Sequence, residues 1–431
     1  MPPDHIARSP GSVSNRAADD KFPRHLDKTH SARVFGLDLL RALAITGVVG
    51  AHAASLVNPH MPGWFNIVSH GGFYGVELFF VLSGFLIGRI LVGTGEQLHE
   101  TSSLATFYVR RWFRTLPLFW LFLGVNILLE LFLRGQRYAF AEVLAHGFFL
   151  RNVGTLNLKF FGESWSLAVE EWFYLLFPAA LWVGLKVSKR FDAVFLSSAA
   201  AFFLFSTIAR VLSAPHPWAT WTEWQRQVVI FRFDALMLGV FAAWFSLRFK
   251  SVWRAAVWPC AIAGTALALA MYGTLWKFSS DGLVWSGDDY FARTYRFTLV
   301  SLGFALLLPF ASTWKLTRET FLSTTIRRIA LWSYALYLVH GPIVQIATAG
   351  FFKEWKTSPA QAAGGFFVTV IGATAISAML YHFFESRCTH LRDKVAPRVA
   401  ETLGRRRPGN LAKKLRRTGG KTRAFVLVRL H

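Results

Sequence analysis

About ten apolar stretches, each approaching the roughly 20 residues that an α-helix needs to cross a bilayer, dominate this chain. They fall at 37–57, 73–93, 115–134, 166–185, 193–211, 228–247, 255–275, 297–312, 330–350 and 362–384. Little else is open to such a sequence. In lipid every backbone polar group must find its partner within the protein, so only helices and closed barrels span. A barrel needs short strands of alternating polarity, and these runs do not alternate. The expected fold is all-α, a polytopic transmembrane helix bundle. Of 431 residues, 53% are hydrophobic and only 16% charged, which leaves too few charges to solvate ten such helices in water. The second stretch contains Ser83-Gly84, where the helix can open into a broken or re-entrant span or another chain can approach closely, while the eighth is short. Residues 139–150 are apolar but too short to cross, and read as an interfacial segment.

Three regions follow. Residues 1–32 are polar, do not read as a cleavable signal peptide, and predict a disordered cytoplasmic tail. Residues 33–387 form the membrane domain, and 388–431 a basic cytoplasmic tail. The orientation comes from Lys and Arg, which crowd both tails and are missing from the first outer loop. A net charge of +23 raises nucleic acid as a partner. Arg405, Arg406, Arg407, Lys413, Lys414, Arg416 and Arg417 are better read as a solvated run beside an anionic leaflet, making membrane lipids the partner. Cys260 and Cys388 suggest neither a metal site nor a disulfide framework.

Ionisable residues at membrane depth are costly and therefore functional candidates. Arg41 and His52 lie in the first span, eleven residues or about three turns apart, so they share one face roughly 16 Å from each other. Asp38 precedes Arg41 by three residues and can pair with it. Imidazole is the side chain best suited to take a proton near neutral pH. Glu77 opens the second span at the depth of His52, where it can orient the imidazole or hold a substrate hydroxyl. Arg110, Arg111 and Arg114 precede the third span; guanidinium forks bind phosphate, but cytoplasmic arginines also serve as plain topology anchors. Ser166, Glu170 and Tyr174 share a face of the fourth span, and Glu171 must point elsewhere. Arg232 and Asp234 open the sixth span, and His340 lies in the ninth as a helix-to-helix bond or a site residue.

Taken together these residues resemble the acyltransferase 3 family of integral-membrane acyltransferases, over roughly 33–387. The carriers are Gly36-Leu37-Asp38 with Arg41 and His52, Phe79-Phe80-Val81-Leu82-Ser83-Gly84-Phe85, Arg111-Trp112-Phe113-Arg114, Trp165-Ser166-Leu167-Ala168-Val169-Glu170-Glu171, Ser333-Tyr334-Ala335-Leu336-Tyr337-Leu338-Val339-His340 and Phe384-Glu385. Trp172 and Ser386-Arg387 depart from the family pattern.

The resemblance implies transfer of an acyl group, usually acetyl, from cytoplasmic acyl-CoA to a carbohydrate hydroxyl, in a bacterial inner membrane. Acceptors in the family include O-antigen and other surface polysaccharides, exopolysaccharide, periplasmic glucan and lipid-linked sugars. It implies essential roles for His52 and Arg41, and a donor-side role for Arg111 and Arg114. The expected catalytic set is His52, Arg41, Glu77 and Glu170. The expected acyl-CoA set is Arg110, Arg111, Arg114, Ser83 and Gly84, and the acceptor side takes Trp165, Ser166, Tyr174 and Arg232. No metal or resident cofactor is expected; acetyl-CoA or another acyl-CoA enters as substrate. His52 would act as general base, with an acyl-histidine intermediate as the alternative. Trp285, Asp288, Asp289 and Tyr290 in an outer loop would suit sugar stacking. A charged tail alone follows the last span, so the chain reads as a stand-alone form with no appended extracytoplasmic domain. The competing readings are a transporter or flippase of a lipid-linked sugar, and a membrane sensor or scaffold.

Overall fold

A computed structural model describes residues 34–57, 71–216, 224–279, 282–285, 289–349 and 358–405. Within these residues the chain is helical apart from one two-stranded hairpin. The helices are α1 (Phe35–Ala54), α2 (Gly72–Thr94), α3 (Thr101–Arg134), α4 (Phe140–Gly147), α5 (Ser164–Val187), α6 (Phe191–Ser213), α7 (Phe233–Arg248), α8 (Lys250–Ala255) and α9 (Val257–Gly273). After the antiparallel hairpin β1 (Trp276–Ser279) and β2 (Gly282–Trp285) come α10 (Phe297–Thr313), α11 (Phe321–Ala349), α12 (Pro359–Leu380) and α13 (Ser386–Arg405).

Eight helices among the described residues are long and apolar enough to cross a membrane. Two expected spans form shorter helices: α7 has 16 residues and α9 has 17. At 1.5 Å per residue these reach about 24 and 26 Å, short of the roughly 30 Å hydrocarbon core. α7 packs against α2, α6 and α10 and is largely buried, so protein rather than lipid covers much of it. The exterior is apolar, as lipid requires: Phe132 is 79% and Leu212 69% exposed. The inside is filled with aromatic rings, including Phe80, Phe85, Phe173, Phe177, Phe195 and Phe297, all fully buried.

The second span is unbroken. Ser83-Gly84 lies inside the continuous helix α2, and Gly84 serves close approach instead of helix opening. A Cβ at Gly84 would stand 1.9 Å from the Leu236 carbonyl oxygen, and one at Gly239 2.1 Å from that of Val81. The backbones of α2 and α7 therefore touch where the two glycines meet. α3 starts at Thr101, well before the apolar window at 115, because Arg110, Arg111 and Arg114 are good helix formers that hydropathy alone does not reveal. Gly135, at φ 68°, ends α3, with its N–H donating to Leu131 O and that of Gln136 to Glu130 O. The segment expected at the interface is the eight-residue helix α4.

Candidate active site

A pair of histidines joins α1 to α11. His52 Nδ1 lies 3.0 Å from the Val48 carbonyl oxygen and 3.1 Å from His340 Nε2. His340 Nδ1 lies 3.1 Å from the Leu336 carbonyl oxygen. The rings are 4.9 Å apart and tilted by 39°. His340 is fully buried, whereas His52 is exposed between the buried residues Ala51 and Ala53. Each carbonyl faces a Nδ1 one turn ahead of it, so the assigned tautomer of both rings carries its proton there. That leaves the Nε2 lone pair of His52 unclaimed by either neighbour.

Polar groups from α5 and the segment before α7 surround this pair. A Cβ at Gly341 would meet the Glu163 carboxylate at 2.7 Å, so the glycine makes room for that carboxylate beside His340. Tyr337 Oη donates to Glu163 O at 2.9 Å and lies 2.5 Å from Ser166 Oγ. The Arg226 guanidinium lies over the rings of Trp165 at 5.2 Å and Phe73 at 5.7 Å. It acts electrostatically on His52, Tyr337 and Glu77. Asn152 fixes this arrangement, donating to Trp165 O at 3.1 Å and to Gln227 O at 2.7 Å.

Glu77 has no hydrogen bond to His52. One of its oxygens pairs with Arg232, and the other accepts from Ser301 Oγ at 2.8 Å. Both partners of the ion pair are fully buried, and Arg232 is stacked 4.3 Å from the Phe297 ring. The side-chain contact to the His52 ring expected from Glu77 comes from His340. Arg232 holds the preceding turn of chain by donating to Arg226 O at 3.2 Å and exposes no surface to an acceptor. Asp234 pairs with Arg210 at 2.8 Å, also fully buried.

A second polar cluster forms further along α5. The Arg111 guanidinium lies 5.4 Å from the Tyr174 ring centroid. Tyr174 Oη donates to Glu170 Oε2 at 3.1 Å and is hydrogen-bonded to the Ser83 hydroxyl. Arg114 acts on Arg111, Glu170 and Glu385, and Arg392 on α13 adds a further cation beside Arg110 and Arg114. Glu170 and Tyr174 thus lie with the arginines, on the expected donor side, away from the Glu77–Arg232 pair. The cause is α5's length: Tyr174 is eight residues, about 12 Å, beyond Ser166. Arg41 pairs with Asp38 at 3.3 Å and shares its face of the unbroken α1 with His52, with buried Ile45 and Val48 between them. Gly84 is a helix-crossing contact rather than a group facing this cluster.

Outside the spans, His146 lies 2.8 Å from Ser164 Oγ and stacks 4.6 Å from the Phe160 ring. Burial, with a contribution from Arg151, pushes its pKa down to about 4. Before α10, Asp289 accepts from the Ala292 N–H at 2.6 Å, capping the turn, and Tyr290 is half exposed. Asp288 and the Trp285 side chain lie outside the described residues. Among the described residues there is no group of three or more His, Cys, Asp or Glu suited to a metal ion.

Reasoning from the sequence missed Arg226, Glu163, Asn152 and Arg392. None falls in a run with the spacing of a site, and only the folded chain brings them to one. Paired arginines on α3 did mark a cation cluster that Arg392 could join.

An acyltransferase domain model matches residues 34–378, nearly the whole membrane region. The chain belongs to the acyltransferase 3 family. Among curated relatives, the peptidoglycan O-acetyltransferase OatA of Listeria monocytogenes is 32% identical over 166 residues, 36% of this chain and 25% of that protein. The O-acetyltransferase OatA of Staphylococcus aureus is 33% identical over 180 residues, 38% of this chain and 27% of its own length. A putative peptidoglycan O-acetyltransferase of Bacillus subtilis, YrhL, is 32% identical over 174 residues, 37% of this chain and 25% of that protein. The aligned part of this acyltransferase 3 chain thus spans about a quarter of the relatives' length. No solved structure matches it.

Proposed function

We propose that this chain is a membrane O-acyltransferase that moves an acyl group, acetyl in the simplest case, from cytoplasmic acyl-CoA to a hydroxyl of a cell-surface glycan. The observation that carries the reading is the imidazole of His52, whose Nδ1 is committed to Val48 and His340 and whose Nε2 is left for chemistry. Nε2 takes the proton of the acceptor hydroxyl as its oxygen attacks the thioester carbon. The carbon–sulfur bond breaks, and the imidazolium returns the proton to the departing CoA thiolate. Arg226, charged and close to His52, stabilises the negative charge that develops on the carbonyl oxygen.

In this reading Arg110, Arg111, Arg114 and Arg392 grip the CoA phosphates, since guanidinium groups bind them with two parallel bonds. The stripe Glu163, Ser166, Glu170 and Tyr174, at i and i±3 or 4 spacing along α5, lines the way from those phosphates to His52. Ser83 and Tyr337 border the same route. The topology that suits it is ten spans with both termini cytoplasmic, α7 being a short span sheltered by neighbours and α9 a short span packed on α10. The names of the relatives favour a peptidoglycan sugar as acceptor; surface polysaccharides are the wider class.

The test is acyl transfer from radiolabelled acetyl-CoA in membranes supplied with cell-wall glycan, for wild type and His52→Ala at matched protein level. Label on the glycan with wild type alone supports enzyme and base together. Equal labelling removes His52 from its role. Label retained on the protein when acceptor is withheld replaces direct transfer by an acyl-histidine intermediate.

A further inference from the structure

Resting on the reading of His52 as the base, we propose that His340 is its positioning residue: an uncharged imidazole that fixes His52's tautomer and ring plane from the neighbouring helix. The argument is one of hydrogen-bond direction. Two carbonyl oxygens and two rings form a closed set, Leu336 O with His340 Nδ1, and Val48 O with His52 Nδ1. The two rings meet between His340 Nε2 and His52 Nδ1 at 3.1 Å. Carbonyl oxygens only accept, so Nδ1 of each ring must carry a proton. His340 Nε2 then faces an N–H and must present its lone pair.

The reverse direction fails. Were His340 to donate from Nε2 while neutral, its bare Nδ1 would face Leu336 O at 3.1 Å. His52 Nδ1, now accepting, would face Val48 O at 3.0 Å lone pair to lone pair. A doubly protonated His340 removes the first clash and keeps the second. Only one arrangement satisfies every group, and it directs His52 Nε2 away from both partners. Val48 O alone would specify the tautomer, but it lies on His52's own helix one turn back and leaves the ring free to swing about χ2. His340 supplies the second point of attachment, from α11. The Tyr337 ring, 5.6 Å from that of His340, and the Glu163 carboxylate against Gly341 wall His340 in place.

A ladder of side chains separates this role from packing. In His340→Gln the new amide oxygen would reach the place of Nε2, whereas in His340→Asn the shorter amide would reach only that of Nδ1. His340→Leu fills the space with neither. The measurement is acetyl transfer by these three variants in membranes at matched level, each checked for monodisperse elution in detergent. The expected result is that His340→Gln keeps kcat within roughly tenfold of wild type. His340→Asn and His340→Leu fall by a further 10- to 100-fold or so, the usual cost of losing the group that orients a functional imidazole, with KM for acetyl-CoA unchanged. Activity in His340→Asn equal to that in His340→Gln overturns the proposal, as does a series that is flat at any level. Should His340→Leu not fold, the Gln–Asn contrast decides alone. His52→Ala runs alongside: if it is inactive and the series is flat, this inference falls and the base stands. If His52→Ala is fully active, the base itself falls.

Discussion

Replacing Gly84 by Ala adds one methyl group where α2 crosses α7, and the structure sets its consequence. The new Cβ would lie 1.9 Å from the Leu236 carbonyl oxygen, against 3.4 Å for an ordinary contact, so the helices must separate by about 1.5 Å. The obstacle is backbone, and it cannot rotate away as a side-chain tip would. Its mate Gly239 stands 2.1 Å from Val81 O by the same measure, so a slide along the groove meets a second carbonyl. Overpacking of this kind costs about 1–3 kcal/mol, and a rigid obstacle puts Gly84→Ala at the upper end. The change also reaches the buried polar groups, because α2 carries Glu77 and Ser83, and α7 begins beside Arg232, the partner of Glu77. The assay is thermal unfolding of purified protein in detergent together with acetyl transfer in membranes. Gly124→Ala is the control: it lies inside α3 with nothing within 4 Å of a Cβ, and gains up to about 1 kcal/mol of helix propensity. Gly84→Ala is expected to melt several degrees below wild type and to lose most of its activity, while Gly124→Ala matches or exceeds wild type. Equal melting temperatures for the two variants would refute the claim that the α2–α7 backbones are in contact.

Three further outcomes are expected. The double variant Arg111→Ala, Arg114→Ala raises KM for acetyl-CoA by about tenfold or more per lost charge-assisted bond, and Arg392→Ala raises it in the same direction; an unchanged KM in all of them removes the donor site from this cluster. Glu77→Gln leaves Arg232 buried and unpaired and destabilises the fold by about 3–5 kcal/mol, whereas Glu77→Gln with Arg232→Met recovers most of that loss in the same melting assay. His146 is buried neutral with its pKa at about 4, so the unfolded chain binds the extra proton first: its share of stability is whole above about pH 6.5 and is lost as pH falls toward 4, up to about 3 kcal/mol. Wild type should therefore lose more melting temperature between pH 7 and pH 5 than His146→Gln, and equal losses would contradict the assignment.

How much of this was legible in the sequence depended on whether the relation was local. Arg41 and His52 share a face because eleven residues make three turns, and α1 is unbroken. Glu170 and Tyr174 meet at i and i+4, as expected, while Glu171 turns the other way toward Thr115. Pairings between helices were not legible. Depth alone placed Glu77 near His52, but depth does not say which face of α2 looks at α1, and Glu77 faces α7 and α10 instead. Arg226 sits in irregular chain before α7, where no periodicity exists to read. Ser83-Gly84 carried the right signal with two meanings, helix opening or close approach, and only the presence of Gly239 opposite it decides between them.

On the proposed reading, the arrangement of α5 lets one helix serve both halves of the reaction. A soluble donor bearing phosphates has to be held at the membrane surface, because burying its charges costs far more than pairing them with arginines there. The acyl group it carries must nonetheless reach a base that lies deeper and can be approached by a glycan from the other face. Glu163, just before α5, and Tyr174 stand eleven residues apart, about 16 Å, and the stripe is tied to neighbouring helices: Ser166 to Tyr337, and Tyr174, which donates to Glu170, to Ser83 and the Arg111 guanidinium. Such ties hold Ser166, Glu170 and Tyr174 within an aromatic core at little desolvation cost, since each is already hydrogen-bonded. The same ties make the stripe rigid, so on the proposed reading the distance from the arginine cluster to His52 is set by packed helices and not by loop length. On that reading a donor whose arm did not match the distance would bind at the arginines and fail to react, so the geometry would select for the donor's length before any contact with its acyl group.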